Sequence, residues 1–169
     1  MFNQSNLPAY RIAYDTYVTI KDMYDEVTDT CKKRFRRQIE ALVGEAGFRG
    51  VDTRLISKNA LDTLVNEKKG VSPTRHNRIA VEHPITPRVI VDYILQLDHV
   101  LSFEEFYDVW FNNYVYTKTT NEENQYLKKF QANFEFGDCW KKMYQAAGIE
   151  LVERPNFQLK AVKQQYGLL

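Results

Sequence analysis

Apolar residues recur every three or four positions from Ile20 to Leu42, at Ile20, Tyr24, Val27, Cys31, Phe35, Ile39 and Leu42. That spacing draws one apolar stripe along a helix, so the pattern predicts a first long helix over about 20–45. Gly47, or Gly44 before it, supplies a left-handed cap at its end. FRGVDTRLI (48–56) breaks the period and reads as a loop or short strand. Ser57 then caps a helix through SKNALDTLVNEKK, closed by Gly70. The stretch VSPTRHNRIAVEHPITP (71–87) holds three prolines, which forbid a continuous helix, and its middle, RIAVEH, reads as a short strand.

Thr86 and Pro87 read as the N-cap and first turn of a helix through RVIVDYILQLD. Ser102 caps FEEFYDVWFNN, with Glu105 three residues on as in a capping box. VYTKT (115–119) alternates like a strand, and Thr120 with Glu123 forms a second capping box before ENQYLKKFQ. Asp138 is placed to cap CWKKMYQAA, which Gly148 ends. IELVERP reads as a terminal strand stopped by Pro155, and the tail FQLKAVKQQYGLL as a short helix. The elements predict an α+β, mostly helical single domain over 1–169 with a few short strands.

Composition supports a real core, with 44% hydrophobic residues in 169. No apolar run approaches the roughly 18 residues of a membrane span. MFNQSNLPAY lacks the basic-then-apolar order of a signal peptide. Cys31 and Cys139 are isolated, which predicts two reduced thiols and a cytoplasmic setting. The net charge of +1 conceals an asymmetry. Residues 1–90 carry 15 Lys/Arg against 11 Asp/Glu, and residues 91–169 carry 8 against 11. The chain therefore divides into a basic helical part of about 1–90 and an acidic, aromatic-rich helical part of about 91–169.

The densest positive charge is KKRFRR (32–37). With Phe35 turned to the core, Lys33 and Arg37 lie nearly opposite it, and Lys32, Arg34 and Arg36 flank the stripe. Such a face can meet phosphates and release their counterions, with Arg54, Lys68, Lys69, Arg75 and Arg78 widening the surface. The bland alternative is a solvated face, partly neutralised by Asp25, Asp29 and Glu40.

Signatures of a nucleotide-dependent motor, a dinucleotide oxidoreductase, a serine hydrolase and a zinc finger are absent. Thr74–Thr86 carries the densest candidate chemistry: His76 and His83 stand beside Asn77, Glu82, Arg75 and Arg78. An imidazole can activate water or bind a divalent ion, and a carboxylate beside it can orient the ring or share the metal. The bland alternative is a proline-braced loop making ordinary turn contacts. A second constellation is Glu67-Lys68-Lys69 with Asp52 upstream. An acid followed by Glu-x-Lys on adjacent strands can hold Mg²⁺ in restriction-type folds, although ALDTLVNEKKG reads more naturally as a helix. His99, the Trp110 and Tyr126–Tyr144 aromatics, and the acids Asp92, Asp98, Glu104, Glu105 and Asp108 read as structural or solvated positions.

TRHNRIAVEHPITP followed by an apolar helix resembles the histidine-centred segment of phage-encoded nucleases of the HNH or His-Me finger kind. YTKTTNEENQYLKKF and CWKKMYQAAGIELV are similar to the tails of uncharacterised phage proteins. The resemblance implies Glu82 and His83, and only those two, as the acid–histidine pair that supplies a general base and binds a divalent metal, Mg²⁺ or another; in the catalytic form of the expected function His76, Asn77 and Arg78 support them. The chain departs from that family after His83: Pro84 and Pro87 leave no room for the usual second strand before the helix, and no later histidine follows the Asn-containing region. The expected function is a nucleic-acid-binding protein of phage type acting on DNA, in its catalytic form a small metal-dependent homing-type endonuclease in the host cytoplasm. The alternatives are a non-catalytic DNA- or RNA-binding regulator, and an interaction protein that inhibits a host protein partner. None of these involves a membrane.

Overall fold

The computed structural model describes residues 6–169 and shows an α+β protein, mostly helical, with a small four-stranded mixed sheet. The chain groups into two compact units, one of residues up to Val51 with Ile85–Tyr114, the other of Asp52–Pro84 with Val115–Leu169. No helix among the described residues is long and apolar enough to cross a membrane.

The first unit is helical: α1 (Leu7–Met23), α2 (Asp29–Glu45), α4 (Pro87–Gln96) and α5 (Phe103–Asn113). α1 buries Tyr10, Ala13, Tyr17 and Ile20, spaced three and four apart, and Tyr24 continues that stripe. The expected single helix over 20–45 is two helices. The chain tightens into a short 3₁₀ turn at Tyr24–Glu26, then Val27 and Thr28 go extended. The Thr28 hydroxyl accepts from the Cys31 amide at 3.4 Å, starting α2 afresh. Around these helices pack Ile90, Val91, Ile94 and Leu95 of α4 and Phe106, Tyr107 and Trp110 of α5. Tyr10 meets the Tyr107 ring edge-on at 5.1 Å, and Tyr17 stacks on Phe106 at 5.1 Å. Arg36 on α2 donates to Asp92 on α4 at 2.5 Å.

The second unit carries the sheet: β1 (Val51–Ser57), β2 (Ile79–Glu82), β3 (Val115–Thr120) and β4 (Leu151–Glu153), in spatial order β2-β3-β1-β4. β2 runs antiparallel to β3, with Ile79 opposite Thr120, and β4 antiparallel to β1, with Leu55 opposite Glu153. Central β1 and β3 run parallel, since Val51 N donates to Tyr114 O and Thr53 Oγ1 to Tyr116 O. Each leads directly into a helix, α3 (Lys58–Lys68) after β1 and α6 (Asn121–Gln131) after β3. Helices α7 (Trp140–Ala146) and α8 (Lys160–Gln165) follow. One core cluster gathers Ile56, Ala60, Leu61 and Val65, and another Leu127, Met143, Tyr144 and Ile149. Asp138 does not cap α7; its carboxylate instead accepts from the Glu135 amide at 3.1 Å, closing the turn before it. Cys31 and Cys139 are both free thiols.

Candidate functional site

The five bases of 32–37 divide by environment. Arg36 is half-buried in its ion pair with Asp92, and Lys32 is half-buried with its ammonium 5.0 Å from the centre of the Tyr24 ring. Lys33, Arg34 and Arg37 are exposed, and none has an ion pair among the described residues. Spaced at i, i+1 and i+4, they share one face of α2. Burial and then Asp92 push the carboxyl of Glu40, one turn on, above the ordinary range, against Arg36, Arg88 and Arg37. Past Arg37 the face continues with exposed Ala41 and Gly44, and a Cβ added at Gly44 would meet no atom within 4 Å. Phe35 is half-buried and lines a groove with Ile12, Ile20 and Met23 of α1.

In the second unit, Arg75, His76, Asn77 and Arg78 are all exposed on one turn. The turn closes through Arg78 N donating to Thr74 O at 3.0 Å and Asn77 N to Thr74 Oγ1 at 3.3 Å. The start of α6 then holds it. Asn121 N donates to Arg78 O at 2.9 Å, Glu122 N to His76 O at 3.1 Å, and the Asn121 side chain to Arg75 O at 2.9 Å. Orphan amides of a helix N-terminus thus fix the backbone of a basic turn while its side chains point outward. Lys68 and Lys69 close the C-terminal end of α3, with Lys68 over the Phe157 ring at 5.1 Å. Arg54 is exposed on β1 with a left-handed φ of 60°.

Glu82 and His83 occupy different surroundings. Glu82, only 2% exposed, accepts from Gln131 Nε2 at 2.5 Å, from the Thr117 hydroxyl at 3.5 Å and from the Tyr144 hydroxyl. Burial pushes its carboxyl up to about 8, with the Thr117 hydroxyl opposing the rise. His83 Nδ1 donates to Val115 O at 3.1 Å, and its ring meets Tyr116 edge-on at 6.0 Å. Burial holds the imidazole below its ordinary range, with the Val115 hydrogen bond pulling the other way. Successive side chains of an extended segment point to opposite faces, so the acid and the imidazole do not meet. His76 and Asn77 stand on the exposed turn.

The alternative pair is also apart. Asp52 accepts from the Arg154 guanidinium at 2.6 Å and from the Arg54 amide at 2.8 Å. Those bonds hold its carboxyl below the ordinary range despite burial. Glu67 is exposed near the end of α3, a helix rather than a strand. Among the described residues no group of three or more His, Cys, Asp or Glu side chains is placed to hold a metal ion.

A polar knot ties the ends of β1 and β3. Glu123 accepts from the Ser57 hydroxyl at 2.5 Å, the Asn59 carboxamide at 3.0 Å and the Thr120 amide at 2.9 Å. Ser57 and Thr120 are the N-caps of α3 and α6, so one carboxylate links two helix starts. A cleft opens beside the knot. Sequence reasoning found both caps but not their meeting. Tyr126, whose spacing suits the buried stripe of a helix, is 44% exposed at the cleft. The available signal was the polar face of α3, where Asn59, Asp62, Thr63 and Asn66 recur at helical spacing.

No family model, no curated protein and no solved structure matches this chain.

Proposed function

We propose that this protein binds DNA through its phosphate backbone, with Lys33, Arg34 and Arg37 of α2 as the principal contact. The observation that carries the reading is that these three bases share one exposed face and have no ion pair among the described residues, whereas their neighbours Lys32 and Arg36 are engaged. Uncommitted cations can exchange water and counterions for phosphate without first breaking an internal contact. Beyond them, Ala41 and Gly44 leave the helix surface low. A helix about 10–12 Å across fits a major groove about 12 Å wide, and small side chains permit close approach. The basic turn at 74–78 offers a second contact, with Arg75 and Arg78 on a backbone already fixed before binding.

The test is a gel-shift titration with duplex DNA over a range of salt, with and without Mg²⁺, scoring both shift and cleavage. A shift without cleavage is expected. Log affinity against log salt should fall with a slope of about −3 from the three α2 contacts, steepened by up to about two more where Arg75 and Arg78 also engage phosphates. Reversing the charge of Lys33, Arg34 and Arg37 together should abolish the shift, while Arg75→Ala with Arg78→Ala should flatten the slope by at most about two. A shift that survives reversal on α2 would overturn this reading. Metal-dependent cleavage would add a nuclease reaction to it and direct attention to His83.

A further inference from the structure

The cleft beside the polar knot has a volume of about 730 Å³, within the range of small-molecule sites. α3 lines it with Asn59, Asp62 and Asn66, and α6 with Glu122 and Tyr126. Helix N-termini ordinarily draw anions. Here those groups are already engaged. Ser57 Oγ accepts from Ala60 N, Glu123 takes Thr120 N, and the Asn121 and Glu122 amides serve carbonyls of the basic turn. The cation of the lining, Lys58, is paired with Glu150 at 3.3 Å. What faces the space instead is Asp62 and Glu122, neither in an ion pair among the described residues, together with the exposed Tyr126 ring. A phosphate entering here would meet two carboxylates and no uncommitted cation. An ammonium or guanidinium would meet two charged acceptors and an aromatic face.

We propose that this cleft binds a small organic cation, an amine or guanidine on a short aliphatic chain. Its cationic groups are drawn to the Asp62 and Glu122 carboxylates of the lining, and its carbon chain to the Tyr126 ring. The Asn59 and Asn66 carboxamides frame the site with neutral hydrogen-bonding groups. This site shares no residue with the DNA contact on α2, and it adjoins the basic turn through Asn77 and Glu122.

The experiment follows the backbone amide resonances of the full chain during titration with agmatine, which carries both a guanidinium and an ammonium. Glucose and adenosine monophosphate serve as neutral and anionic probes. Agmatine should shift resonances of 59–66 and 122–126 saturably, and the other two should not. Asp62→Asn and Glu122→Gln should each raise its Kd about tenfold, as expected for losing a charged hydrogen-bond partner. Both residues are exposed, so the variants should keep the parent's spectrum elsewhere. The proposal fails if agmatine produces no saturable shift, or if shifts spread equally to exposed acids such as Asp98 and Glu104. It fails equally if glucose or the nucleotide displaces the same resonances, or if neither variant weakens binding.

Discussion

Glu82 inverts the usual behaviour of a carboxylate. Its folded-state acid is pushed up to about 8 by burial, whereas an unfolded glutamate titrates near 4.3. The native state therefore holds the proton more tightly. Its contribution to stability is complete below about pH 4.3 and declines as pH rises towards 8, by up to about 1.4 kcal/mol per unit. Glu82→Gln keeps a neutral side chain of the same shape beside Tyr144, Thr117 and Gln131. Urea unfolding measured from pH 5 to 9 should accordingly show a flatter pH profile for the variant, and an unchanged profile would refute a buried neutral acid. At this scale the sequence was partly legible. Alternation along RIAVEH sends Glu82 and His83 to opposite faces by itself. It does not reveal that the acid is the inward residue while Val81 is 54% exposed. That inversion depends on Gln131 and Tyr144, which lie 49 and 62 residues away along the chain, beyond any local pattern.

Among the elements, the helix starts were the most legible features because their determinants lie within four residues. The Ser102–Glu105 and Thr120–Glu123 boxes form as spaced, and Ser57 caps α3. The break between α1 and α2 was hidden because Tyr24, Val27 and Cys31 continue the apolar spacing across it. Only the phase distinguishes the helices: Tyr10, Ala13, Tyr17 and Ile20 are buried, whereas Cys31 and Phe35 are half-buried. Glu123 does more than its local box requires, since it also takes the Ser57 hydroxyl and the Asn59 carboxamide. Removing it as Glu123→Ala should cost about 2–4 kcal/mol, from the lost bond to the Thr120 amide and the Ser57 hydroxyl and Asn59 carboxamide left without their acceptor, against about 1 kcal/mol for Thr120→Ala. Chemical denaturation of both variants checks this, and equal losses would show that Glu123 serves α6 alone.

Across the whole molecule, the sequence's charge boundary near residue 90 does not coincide with how the chain groups, because each unit draws residues from both sides of it. A tally of charge along a chain follows sequence, while compact units follow contacts. The sheet has the same character. Its antiparallel pairs join Ile79 to Thr120 and Leu55 to Glu153, and no strand is followed by a hairpin turn to its neighbour. β1 lies between β3 and β4, both of which come later in the chain. A ribosome emitting this chain would release β1 and β2 long before β3 emerges to pair with either, and β4 after all three. Helices form from near neighbours, but such a sheet must close long loops before any strand is satisfied. Trp110 lies in the helical unit and Trp140 in the sheet unit, so each tryptophan can report on one of them. In refolding of the single-tryptophan variants Trp140→Phe and Trp110→Phe, the signal of Trp110 should recover first and that of Trp140 should lag. The delay would be the time the chain needs to bring its distant strands together.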